Sequence, residues 1–182
     1  DLNVKRREFD NKITEEALRM IEENDKIRSA KSTVIFNENW HKGVIGIVAS
    51  RLTDSYYRPT IVLTRSNNLI TGSARSIKNF DIYDAIDNCS DLLEHFGGHK
   101  YAAGLSLKPE NLEEFSRRFE EYVANNIDKE ELVPELNVDL EIDFADITPK
   151  FVRVLKQFAP FGPGNMAPVF LTKDVVDTGF SR

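Results

Sequence analysis

Three short stretches carry side chains that could do chemistry, and all three suit a phosphate. In FGGHKYAAG, residues 96–104, His99 and Lys100 stand among Gly97, Gly98, Ala102, Ala103 and Gly104. Glycine brings no side chain to bury and costs roughly 0.5–1 kcal/mol relative to alanine inside regular structure, so the stretch serves either a tight turn or a ligand that approaches the backbone. Bared N–H groups beside an imidazole favour phosphate oxygens. A histidine that merely caps the turn is the plain alternative. In TGSARS, residues 71–76, Ser73, Ser76 and Arg75 supply two hydroxyls and a forked, permanently charged donor able to make paired hydrogen bonds to an anion. Side chains alternate along an extended segment, so Ser73 and Arg75 share a face; a solvated strand edge explains the same residues equally well. In WHKGVIG, Trp40 and His41 precede a helix start, where backbone donors and the positive dipole end hold anions. Trp40 can equally be a core residue, the commoner fate of a lone tryptophan.

Cleavage is harder to find than binding. His95 and His99 are four residues apart, but a shared helical face is needed for a metal pair. Gly97 and Gly98 break the helix between them, and no cysteine or third histidine stands nearby. His95 therefore reads as a surface or helix-end residue, and no metal site is expected in this sequence. There is no G-x-S-x-G elbow, no Walker loop and no clustered Asp/His motif.

The elements that position these residues follow from apolar spacing. Phe9, Ile13, Ala17 and Ile21 recur every fourth residue, predicting an amphipathic helix over 9–28. STVIF, RPTIVLT and LITGSARS read as strands, with a buried helix from about Gly43 through Leu52. Asp81 caps a helix expected to run through IYDAIDNCSDLLEHF, broken near Asn88, with Gly97 and Gly98 as its terminator. AGLSL reads as a strand and KPENLEEFSRRFEEYVANNI as a helix with Pro109 at its entry. Strands alternating with helices predict an α/β fold with a mixed β-sheet flanked by helices. Beyond DKEELVPEL come an alternating strand LNVDLEIDF, a helix TPKFVRVLKQF, the turn-rich APFGPGNMAPVF, and DVVDTGF, together resembling the opening of a β-rich domain. The expected division is 1–30, a connecting helix; 31–132, the α/β domain; and 133–182, a partial second domain.

With 182 residues, 41% hydrophobic and 30% charged, the chain is of globular composition, without a run of the roughly 20 apolar residues that span a membrane. The single Cys89 excludes an internal disulfide and, with no apolar signal core at the start, leads to the expectation of a cytoplasmic protein. The first residue is not methionine, which suggests a piece of a longer protein. The net charge of −6 argues against a nucleic-acid partner, but residues 32–80 carry six basic side chains against two acidic ones. That basic middle gives mild support to a phosphate-bearing ligand.

The segments NWHKGVIGIVASRL, TGSARS, FGGHKYAAG and APFGPGNMAPVF, in this order, resemble the RecJ single-stranded-DNA exonucleases of the DHH phosphoesterase superfamily. G-G-H-x-x-A-A-G marks the DHH-associated domain generally; the tryptophan-histidine and proline-rich segments narrow the likeness to RecJ. Met166 departs from the proline common at its position. The resemblance implies a DHH-associated domain preceded by a long connecting helix and followed by the start of an OB-type barrel. It implies 5′-to-3′ degradation of single-stranded DNA in repair and recombination, with Mn2+ or Mg2+ held by a DHH lobe whose ligand motifs are not in this sequence. The chain alone is accordingly expected to bind DNA and to be inactive. By the same resemblance the substrate-binding set is Trp40, His41, Ser73, Arg75, Ser76, Gly97, Gly98, His99, Lys100 and Gly104, with Ser73 and Arg75 at the terminal phosphate. Gly97, Gly98 and His99 would face the scissile one, His99 being the catalytic candidate. Trp40 and Tyr101 are stacking candidates, and single-strand-binding protein and a repair helicase are candidate partners. Two alternatives stay open: a nano-oligonucleotide or cyclic-dinucleotide phosphodiesterase of the same superfamily, and a non-catalytic module that binds single-stranded nucleic acid.

Overall fold

The computed structural model describes residues 2–176 and 179, with side chains from residue 9 onward. The chain divides into two compact units, Asp1–Pro134 and Glu135–Arg182.

In the first unit, α1 (Leu2–Glu22) buries Ile13, Ala17 and Ile21 of the stripe expected from the sequence, whereas Phe9, its first member, is exposed. The Asn24 side chain accepts the Lys26 and Ile27 amides and starts a separate α2 (Asp25–Ser29), so the single helix expected through residue 28 is two helices. There follow β1 (Thr33–Phe36), α3 (Ile45–Tyr56), β2 (Thr60–Ser66), β3 (Leu69–Arg75), α4 (Ile82–Asp87), β4 (Leu93–His99), β5 (Ala102–Leu107) and α5 (Leu112–Asn126). The five strands form one sheet in the order β1-β2-β3-β5-β4, with β1 and β2 parallel and every other pair antiparallel. The mixed α/β architecture read from the sequence is the one observed.

Asp81 does cap a helix, its carboxylate accepting the Tyr83 and Asp84 amides, but α4 ends at Asp87. A 3₁₀ turn at Ser90–Leu92 then leads into β4, so the helix expected through Phe96 is corrected to a helix, a turn and an edge strand. His95 thus lies in a strand and not at a helix end. Gly97 and Gly98 lie within that strand and terminate no helix. Asp81→Ala is expected to cost about 1 kcal/mol by urea denaturation, the usual value of an N-cap.

The sheet has two unlike faces. Ile61, Leu63, Ala74, Ala103, Leu105 and Leu107 point to a core completed by Ile82 and Ile86 of α4 and by Phe115, Phe119 and Val123 of α5. On the other face Ile35 and Val62 pack under Val44, Ile45, Val48, Ala49 and Leu52, and under the stripe of α1. This second cover reaches only as far as β2 and β3, which α3 overlies. Two charged groups lock the sheet's β1 side. Glu120 accepts the Lys31 and Ser32 amides and the Ser32 hydroxyl. Arg58, only 5% exposed, donates from Nε to Thr33 Oγ1 and from Nη1 to the carbonyls of Arg28 and Ala30, and burial lowers its pKa.

In the second unit β6 (Leu140–Glu141) pairs in parallel with β7 (Phe170–Leu171), and α6 (Pro149–Leu155) starts where Thr148 Oγ1 accepts the Phe151 amide. The nine-residue strand expected at LNVDLEIDF is thus two residues long. Asn165 Nδ2 donates to the carbonyls of Phe158 and Pro160, gathering the proline-rich segment into a compact turn. The last expected segment, DVVDTGF, lies partly outside the described residues. No helix among the described residues is long and apolar enough to cross a membrane.

Candidate phosphate-binding face

Strand register decides which of the predicted residues meet. Thr60 pairs with Arg75, Arg75 with Ala102, and Ala102 with His99, so one row across the sheet puts the guanidinium and the imidazole on the same face. Two interstrand spacings separate their strands, roughly 10 Å. The next row runs Val62, Ser73, Gly104 and Gly97. Because Val62 lies under α3, both rows belong to the face that α3 covers at one end and leaves open over β5 and β4.

The open part is floored by backbone. A methyl group added at Gly97 would meet nothing within 4 Å, and at Gly104 only the Gly72 carbonyl oxygen at 3.9 Å. Gly98 is different. Its φ is +154°, and a Cβ there would strike the Ala102 carbonyl oxygen and lie 2.5 Å from Ala103 Cα. It is glycine because β5 passes behind it. The glycines therefore differ in role: Gly98 serves strand geometry, whereas Gly97 and Gly104 leave a face bare.

The wall beside this floor is α3. Gly46 approaches the sheet so closely that a Cβ would lie 3.0 Å from Ser73 Oγ and 3.1 Å from Arg75 Nη2. One turn on, Ser50 Oγ donates to the Gly46 carbonyl at 3.1 Å and accepts from Arg75 Nε at 3.2 Å. Arg75 Nη1 donates to Ser73 Oγ at 3.1 Å and to the Ala74 carbonyl at 2.8 Å. Nε and Nη1 are thus held by the protein, while Nη2 and the Ser73 hydroxyl proton make no hydrogen bond among the described residues. Gly46 and Ser50 were not among the residues singled out by sequence. Their signal was present in the spacing of four, which puts both on one side of α3.

The exposed His99 accepts the Tyr101 amide on Nδ1 at 3.3 Å, which leaves the ring proton on Nε2. Tyr101 is 49% exposed, with Lys100 Nζ 5.7 Å from its ring centroid. His41 is exposed and its Nδ1 accepts the Gly43 amide at 3.1 Å; no side chain caps the start of α3 beside it. Ser76 spends its hydroxyl on the Phe80 carbonyl at 2.8 Å, closing the turn after β3. Trp40 is 4% exposed, so its ring offers no stacking surface; its Nε1 donates to Glu16 Oε2 at 3.0 Å and its carbonyl accepts from Thr64 Oγ1 at 2.6 Å. It is a core residue, as its alternative reading had it. The basic middle is likewise partly consumed: Arg51 pairs with the buried Asp10 at 2.7 Å, Arg65 with Glu38 at 3.5 Å, and Arg58 is interior. Among the described residues no group of three or more His, Cys, Asp or Glu side chains could hold a metal ion.

Fold and face define an α/β domain whose five-stranded mixed sheet is covered by helices except on one face over β5 and β4. Comparison with known families gives that class its name: the chain belongs to the DHHA1 domain family, whose model matches residues 29–125, and the RecJ OB domain model matches residues 138–181. It is 37% identical over 177 residues to the single-stranded-DNA-specific exonuclease RecJ of Bacillus subtilis, covering 96% of this chain and 22% of that protein. To the Escherichia coli protein of the same name it is 31% identical, covering 93% of this chain and 30% of that protein. The crystal structure of Thermus thermophilus RecJ in complex with Mn2+ superimposes with a TM-score of 0.81 at 29% identity, over 94% of this chain and 24% of that one. A Mg2+ complex from the same source superimposes at 0.80. The chain thus spans between a fifth and a third of these relatives.

Proposed function

We propose that this chain is the substrate-binding part of a metal-dependent 5′-to-3′ exonuclease specific for single-stranded DNA, acting in repair and recombination. The observation that carries the reading is the shared row of Arg75 and His99, across an open floor of Gly97 and Gly104. A strand lying there presents its terminal phosphate to Arg75 Nη2 and the Ser73 hydroxyl on the α3 side and its next phosphodiester to His99 Nε2–H on the edge side. The missing side chains at 97 and 104 let the backbone approach closely. Charge-assisted hydrogen bonds of this kind are roughly twice as strong as neutral ones. His41 and Lys100 add charge at the margins, and Tyr101 supplies an exposed ring for base stacking. In this reading Mn2+ or Mg2+ is bound elsewhere in the whole protein, and this chain holds and orients the strand. The RecJ OB match supports a polymeric substrate over a cyclic dinucleotide. A cytoplasmic location, and single-strand-binding protein and a repair helicase as partners, belong to the same proposal.

Arg75→Ala tests it. Titration of the chain with 5′-phosphorylated oligothymidylate at several salt concentrations is expected to show affinity about tenfold lower, and a salt slope shallower by about one counterion. An unchanged slope would remove Arg75 from the phosphate, and with it the reading.

A further inference from the structure

The open face extends one row beyond the residues used so far. Thr64 pairs with Thr71, Thr71 with Ser106, and Ser106 with His95, two residues further along the strands than Ser73, Gly104 and Gly97. What puts His95 there is an irregularity of β4. Leu93 pairs with Leu107 and His95 with Ser106, so Glu94 is an extra residue, a β-bulge. Leu93 and Phe96 both pack against the core under α4 and α5 although they are three apart, an odd spacing that regular alternation would send to opposite faces. The bulge shifts the alternation by one. As a result His95, Gly97 and His99 all stand on the open face, and both imidazoles border the same floor. Bulges beside functional surfaces commonly re-aim a side chain in this way.

The third row also has donors to spare. His95 is exposed and Ser106 half-exposed, and neither makes a side-chain hydrogen bond within the described residues. The bulged Glu94, beside His95 in the chain, is paired with Lys108 at 3.6 Å. His41 and Lys42, in the exposed segment that precedes α3, follow Trp40, whose carbonyl is tied to Thr64 of the same row. From the His99 row to the His95 row is roughly 13 Å along the strands, the length of about two backbone repeats of an extended polynucleotide.

We propose that His95, with Ser106 opposite it, binds a further phosphate of the strand held by Arg75 and His99, making the face a track that selects polynucleotides over dinucleotides. This rests on the proposed function and sharpens its substrate class. The chemistry is a hydrogen bond from the imidazole N–H and the hydroxyl to a phosphate oxygen, a contact to a charged group that is lost when the ring is removed.

Length dependence of binding separates this from a general effect on the site. The chain and its His95→Ala and Arg75→Ala variants are titrated by fluorescence anisotropy with 3′-labelled, 5′-phosphorylated thymidylate dimers and octamers. His95→Ala is expected to weaken the octamer by about tenfold or more, as loss of one hydrogen bond to a charged group does, and to leave the dimer within twofold. His95→Gln, which keeps a donor, recovers most of the loss. Arg75→Ala weakens both lengths. If His95→Ala leaves the octamer unchanged while Arg75→Ala weakens both, the third row is not part of the track and the proposed function stands. If His95→Ala weakens dimer and octamer alike, the length-selecting role is wrong. If neither substitution alters either titration, or the unaltered chain binds neither oligonucleotide, the inference falls together with the proposed function.

Discussion

Gly98→Ala is expected to cost about 3 kcal/mol or more, enough to detach β4 from β5. The added methyl would lie 2.5 Å from Ala103 Cα and 2.8 Å from its Cβ, with the Ala102 carbonyl oxygen closer still. These are atoms of the neighbouring strand, with no rotamer to turn aside. Overpacking of this kind costs typically about 1–3 kcal/mol, and holding a non-glycine residue at a strained φ adds about 1–3 more. Local separation of the edge strand is the relaxation open to the chain. Chemical denaturation reads the loss, and hydrogen exchange should show the β5 amides that bond to β4 losing protection. Gly97→Ala is the built-in control: its methyl enters open space and leaves stability within about 1 kcal/mol, the ordinary difference between glycine and alanine. Equal stability of the two variants would mean that β4 does not run as described.

The two glycines also show how much of this molecule could be read from its sequence. The strands β1, β2 and β3 were legible as short apolar and β-branched runs bounded by turn residues, α3 as a longer apolar run, and α5 because Phe115, Phe119 and Val123 repeat with the helical period. The failure at residues 88–99 has a specific cause. Ile82, Ala85 with Ile86, Cys89, Leu93 and Phe96 recur every three or four residues and all pack into or against one core, as a helix would present them. The first three do so on α4. The others do so from a turn and a bulged strand, and the bulge at Glu94 puts Leu93 and Phe96 on one face at a helical spacing. A pattern made by tertiary pairing is indistinguishable, by period alone, from one made by a helix.

The face itself was half legible. Ser73 and Arg75 advertised their shared side through strand alternation, and His99 stood out among its glycines. That they share a row is a property of register between β3, β5 and β4, which no local spacing reports. Trp40 was ambiguous for the same reason: its hydrogen-bond partner, Glu16, lies 24 residues away on α1. Gly46 and Ser50 acquire meaning only once α3 is laid against β3.

His99→Ala, in the protein that joins this chain to its metal-bearing part, is expected to lower kcat on single-stranded DNA by about a hundredfold, the cost of removing one fixed donor from a developing negative charge. Binding should suffer much less, by no more than about threefold. In the proposed pose the ground-state strand is already held by Arg75, Ser73 and the exposed backbone at 97 and 104, whereas the Nε2–H of His99 gains most as charge accumulates on the phosphate oxygens. The tautomer supports that role, since the Tyr101 amide occupies Nδ1 and fixes the proton on Nε2. His99→Gln, which can still donate, should recover part of the rate, a rescue that a purely structural histidine would not show. The measurement is a pair of experiments: steady-state cleavage of a 5′-phosphorylated single strand for kcat, and anisotropy titration under non-cleaving conditions for affinity. A normal kcat in His99→Ala would reduce the imidazole to a turn-closing group on β4. A loss confined to affinity would make His99 another phosphate clamp like Arg75, with the donor to the developing charge supplied from outside this chain.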